Sequence, residues 1–129
     1  MDKLLTIAKI FLQSIKILFV KISNIDVDYD AKEFTAYEVT ISNPNNDKSF
    51  SCTTLIDNIF VSKKGKVSLY TQYNFLMEII LDYLYKIDDD PTIRNEFARV
   101  FNEKEIELLV SYFNHFPSFK KAIKEMEDG

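Results

Sequence analysis

Three aspartates, Asp26, Asp28 and Asp30, stand at alternate positions in NIDVDYDAKE, residues 24–33. Carboxylates at positions 1, 3 and 5 open a calcium-binding loop. Such a loop then needs a glycine at position 6 for its sharp turn and a bidentate glutamate at position 12. Counted from Asp26, those positions hold Ala31 and Tyr37. The turn and the closing ligand are both missing. Ile25, Val27 and Tyr29 alternate with the aspartates, as on a half-buried strand. The stretch therefore reads as a strand with an exposed acidic row. DDDP, residues 88–91, fails the same test. It reads as a helix start, with Asp90 as the N-cap acceptor, Pro91 in the first turn, and acids near the positive end of the helix dipole.

Other chemistry is as thinly provided. Cys52 and His115 are the only thiol and imidazole in the chain, whereas a structural zinc site takes about four ligands. As a nucleophile and base pair they are poorly placed: Cys52 sits in a strand pattern and His115 at an aromatic helix end, FNHF. No G-x-S-x-G and no phosphate-cradling glycine motif occurs. The spacing of the 20 acids singles out no catalytic pair. The expectation is a protein without enzymatic activity, cofactor or metal. Tyr70, Tyr73, Tyr83 and Tyr85 would need interleaved Lys and Arg to stack on bases. Their neighbours are Asp82, Asp88, Asp89 and Asp90, so core packing or a protein interface is the better account. The lysines of SKKGK, residues 62–66, read as a solvated turn.

The elements that would position these residues follow from hydrophobic periodicity. In the N-terminal segment Leu4, Ala8, Phe11, Ile15, Leu18 and Phe19 share one helical face, and Thr6, Lys9, Gln13 and Lys16 the other. Its longest uncharged run, Ile10 to Ile15, falls far short of the ~20 residues a spanning helix needs. The spacing predicts an amphipathic helix over 1–21, packed on the core, lying on a membrane surface or serving as a dimer face. The period then changes to two. Strands are predicted near 22–29, 34–42 and 48–56, the last two joined as a hairpin through the turn signal SNPNNDK. Residues 57–70 read as a short hairpin about Gly65 or an ordered loop.

From Thr71 the helical period returns. Phe75, Leu76, Ile79, Ile80, Tyr83, Leu84 and Ile87 make one apolar stripe, and Ile93, Phe97, Val100 and Phe101 the next. Asn102 caps a helix with Ile106, Leu109, Val110 and Phe113 inward, and Pro117 opens a last one. The prediction is a single α+β domain: a helix over 1–21, a small antiparallel sheet of about three strands over 22–69, and a bundle of three to four helices over 70–129. Its 129 residues, 47% apolar and 14% aromatic, are enough to bury a core.

Charge is unevenly spread over this plan. Residues 1–22 carry a net +3, residues 71–129 a net −5, and the whole chain −4. An acidic body repels nucleic acid and suits a basic protein partner. One unpaired cysteine fits a reducing cytoplasm.

From Ala36 to about Val100 the chain resembles a group of small phage and mobile-element proteins. The resemblance rests on a strand ending in an Asn-rich turn, EVTISNPNNDKSFSCTT, then a helix closing on an acidic Asp-Pro step, YNFLMEIILDYLYKIDDDP, then an F-x-x-x-F helix, Phe97 to Phe101. The segment between the first two motifs is longer here than in that group, and the N-terminal helix lies outside the pattern. The resemblance implies no catalytic residues. It implies a phage or mobile-element setting, in which small acidic proteins such as anti-CRISPR inhibitors occupy surfaces meant for DNA or RNA. The expected role is binding and inhibition of a host nucleic-acid-handling defence protein in the host cytoplasm. Asp26, Asp28, Asp30, Asp82, Asp88, Asp89 and Asp90 are the candidate contacts. The alternative is an oligomeric structural or regulatory protein, at its simplest a homodimer, assembled through the N-terminal helix.

Overall fold

The computed structural model describes residues 2–22 and 34–128. The expected α+β order holds: one helix, a three-stranded antiparallel sheet, and four further helices. The helix α1 is Asp2–Ser14, and the strands are β1 Lys16–Lys21, β2 Phe34–Asn43 and β3 Lys48–Asp57. A single 3-10 turn, Asn58–Phe60, leads towards α2 Leu69–Tyr85, α3 Thr92–Val100, α4 Glu103–Phe113 and α5 Pro117–Asp128.

The first boundary differs from the prediction. The helix expected over 1–21 stops at Ser14, and Lys16–Lys21 is a strand. The first strand among the described residues thus lies before residue 22, and the strand expected near 22–29 falls, Ile22 apart, outside those residues. Ile17-Leu18-Phe19-Val20 fits a helical or a strand period, because a run that short satisfies both. Pairing decides it. β1 adds to β2 antiparallel, from Lys16 opposite Ser42 to Lys21 opposite Tyr37. The β-branched Ile17 and Val20 and the aromatic Phe19 suit a pleated surface. Ser14 closes α1 by donating its hydroxyl to the Phe11 carbonyl at 2.6 Å. Ala8, Phe11 and Ile15 are buried as expected, whereas Leu4 is exposed. Leu18 and Phe19 belong to the strand, with Leu18 exposed and Phe19 partly buried against the core.

Strand order is β1-β2-β3, and the hairpin pairs Asn43 with Lys48 across its turn. Asn43 organises that turn: its carbonyl accepts from the Asp47 amide at 3.0 Å and its side-chain oxygen from the Asn45 amide at 3.1 Å. Asp47 takes the left-handed conformation there, at φ 59°. Val39, Ile41 and Phe50 turn inward to meet Phe11, Leu12 and Ile15 of the N-terminal segment and the inner faces of α2 to α5. Tyr37, Ile56 and Val67 form a smaller cluster at the other end of the sheet. Val67 reaches it through a short bridge with Val61 that folds residues 61–67 about Gly65, a hairpin-like turn of the kind anticipated for 57–70.

α2 is the central helix, with Leu76, Met77, Ile79, Ile80 and Leu81 all buried. Met77 and Leu81 widen the predicted stripe, while Leu84 and Ile87 at its end are exposed. Burial that runs almost around the helix has no single stripe to read. Phe97, Val100, Phe101, Leu109, Phe113 and Phe119 complete the interior. The α4 start is a full capping box between Asn102 and Glu105. The α3 start is shifted by one residue from the prediction. Pro91 occupies the N-cap and has no side chain to offer, so Asp90 accepts from the Thr92 amide at 3.0 Å and the Thr92 hydroxyl at 2.6 Å.

Candidate functional site: an acid-rimmed groove

The predicted contact residues part company in three dimensions. Asp26, Asp28 and Asp30 lie outside the described residues. Asp82, Asp88, Asp89 and Asp90 lie at the end of α2 and in the connection to α3. α2 ends where Lys86 turns left-handed, at φ 52°, and donates its amide to the Asp82 carbonyl at 2.7 Å. The chain then folds back far enough for the Asp88 amide to donate to the Asp82 carboxylate at 2.7 Å.

Arg94, in the first turn of α3, locks this loop. Its Nη1 donates to Asp82 Oδ1 at 3.2 Å and to the Asp88 carbonyl at 2.5 Å. Asp88 in turn accepts from the Asp90 amide at 3.1 Å. The Thr92 hydroxyl and amide, and less strongly the Arg94 charge, hold the Asp90 carboxyl below its usual value. The loop is thus preformed. Asp82 is largely covered and paired with Arg94, whereas Asp88 and Asp89 remain exposed.

This loop forms one end of an open groove of about 410 Å³. Phe75, Ile79 and Leu81 of α2 form its floor, and Ile87, Ile93 of α3 and Met126 of α5 its walls. Among the described residues, Glu78, Asp82 and Asp88 are the charged side chains that line it. Glu78 is exposed as a residue, yet partial burial of its carboxyl raises its pKa above the usual value. A second hollow continues past Phe75 and Glu78 towards the sheet, lined by Phe34, Leu55, Asp57, Phe60, Tyr70 and Asn74 among others. Ile87 and Met126 expose 49% and 41% of their surface at the groove, and Phe60 and Tyr70 44% and 64% beyond it. Such apolar side chains within an acidic border have the composition of a protein-docking surface.

Sequence reasoning found the acids of this loop but missed Glu78, Ile93 and Met126 as groove residues. One signal was available: Glu78 is the single charge in FLMEII, on a helix otherwise buried at that level. It also missed Glu105, a buried carboxylate beneath the hairpin turn that accepts from Asn43, Asn45 and the Asn102 amide.

The remaining candidates occupy other places. Burial raises the Cys52 thiol above its ordinary pKa, and no hydrogen bond joins it to His115, which is exposed after α4. Tyr73 packs among Tyr112, Phe113 and Phe116, and Tyr83 against Phe97. Tyr85 is partly buried against the core, which leaves Tyr70 as the exposed member of the four tyrosines. Among the described residues no three His, Cys, Asp or Glu side chains gather as a metal site, and no helix is long and apolar enough to cross a membrane. No protein-family model, curated protein or solved structure matches the chain.

Proposed function

We propose that this protein is a binding module that docks a basic partner protein in the groove between α2, α3 and α5. The observation that carries the reading is the pairing of exposed aliphatic walls, Ile87 and Met126, with a rim of Glu78 and Asp88. Apolar burial would supply most of the affinity, and the acids would select partner and orientation and speed association. The net −5 of residues 71–129 extends that attraction beyond the groove. The resemblance to small phage and mobile-element proteins narrows the partner to a nucleic-acid-handling defence protein of the host, whose DNA- or RNA-binding surface is basic. Binding there would inhibit it by occupying that surface.

Affinity capture from a host lysate tests this, with wild-type protein and Glu78→Lys/Asp88→Lys compared at low and high salt. A nucleic-acid-binding protein held by the wild type at low salt, and lost by the variant, is the expected result. Equal capture by both forms would remove the groove from the account. A second reading, self-assembly through α1, draws on the aliphatic side chains that this helix leaves exposed.

A further inference from the structure

α1 shows two faces. Ala8, Phe11 and Leu12 are buried, and the helix packs against α4. Leu4, Ile7 and Ile10 expose 50%, 45% and 61% of their surface. At 100° per residue Lys3 falls between Ile7 and Ile10, whereas Lys9 lies beyond Thr6 and Gln13 on the other side of the helix. This outer flank is therefore an aliphatic stripe that carries one lysine. The groove on α2, α3 and α5 is its complement: aliphatic walls with an acidic border. The two surfaces lie on different elements. Phe11, Leu12 and Ile15 hold the helix in the core, so α1 stays on α4 and is not free to reach the groove of its own chain.

We propose that the groove is filled by α1 of a second copy of this chain. Leu4, Ile7 and Ile10 rest against Ile87, Ile93 and Met126, while Lys3 faces Glu78 and Asp88. The proposal rests on the groove being a docking surface, and it names one occupant. The contact is heterologous, because the two patches differ. Two such contacts made reciprocally close a dimer, and contacts made in series extend a chain. The charges already favour it, with a net +1 over α1, from Lys3 and Lys9 against Asp2, and −5 over residues 71–129. Self-docking also covers exposed aliphatic surface until a basic partner competes for the same groove.

Sedimentation velocity of the full chain, from micromolar to millimolar concentration at low and high salt, is the test. Species larger than a monomer, shrinking as salt rises, are expected. Lys3→Glu and Glu78→Lys/Asp88→Lys should each weaken association at least about tenfold, since each sets like charges against one another. Mixed one to one, the two variants should associate again, because each contact between one variant and the other pairs opposite charges. Ile10→Ser, which removes the most exposed side chain of the stripe, should weaken association without any change of charge. A wild type that stays monomeric at low salt and high concentration overturns the proposal. So does a mixture no more associated than its components. If self-association is absent while Glu78→Lys/Asp88→Lys still loses partner capture, only the self-docking is wrong. If capture also persists in that variant, the docking groove itself is refuted.

Discussion

Asn43 and Glu105, far apart in the chain, meet under the hairpin turn. The Asn43 side-chain amide donates to both carboxylate oxygens of Glu105, at 3.2 and 3.1 Å, and to the Val100 carbonyl at 3.0 Å. Asn45 adds a bond to Glu105 at 2.9 Å, and Asn46 one to the Val100 carbonyl at 2.9 Å. The β2–β3 turn is thereby fixed to the junction of α3 and α4. Both Asn43 and Glu105 are buried, and no buried side-chain polar atom among the described residues lacks a partner.

Breaking this clamp from one side leaves a buried group short of partners. Asn43→Ala should destabilise the protein by about 2–3 kcal/mol, in the range for a lost hydrogen-bonding group facing a buried charge. Urea unfolding measures it. A double-mutant cycle with Glu105→Gln should give a coupling energy of about 1 kcal/mol or more, because the two side chains share one network.

The clamp also sets an acid limit. Burial alone would raise the Glu105 pKa, but the Asn102 amide and the side chains of Asn45 and Asn43 outweigh it, and the value lies below the ordinary one. A carboxyl lowered on folding stabilises fully above its unfolded pKa, ~4.3, and loses that contribution as pH falls through the folded value. The stability advantage of wild type over Glu105→Gln should therefore shrink as pH drops below ~4.3. Thermal melts of both forms across the acid range check it, and an advantage constant with pH would contradict the assignment.

Core and stripe residues should separate cleanly. Phe97, fully buried between Tyr83 and Phe101, should cost about 3–5 kcal/mol as Phe97→Ala. Ile10→Ser on the outer flank of α1 should change stability by no more than about 0.5 kcal/mol. Chemical denaturation of the two variants, at a protein concentration low enough to keep them monomeric, gives both values.

Groove residues should separate binding from folding. Ile87→Asp places a charge on an exposed wall just beyond α2. It should leave the melting temperature close to wild type and abolish capture of a basic partner. Loss of capture with a large fall in melting temperature would instead mark Ile87 as structural.

The order of helix, sheet and helices was legible in the sequence because each of the larger elements carries its own signal. Asn102 and Glu105 spell a capping box, SNPNNDK a turn, and Phe97 to Phe101 a buried helical face. These are local relations, settled within one or two turns of chain. Lys16–Lys21 shows where local information stops: four apolar residues fit either period, and only the free edge of β2 selects the strand. The acids at 82 and 88–90 were likewise visible as charge, but not that Arg94 would cover one of them while another stayed on a rim. The groove depends on three helices brought together by the core, and Met126 of α5 lines it with Ile87 and Ile93 through packing that no spacing in the chain encodes. Composition and periodicity determined the larger elements and the charge asymmetry. Long-range pairing and packing decided which apolar side chains remained uncovered, and so where a partner can bind.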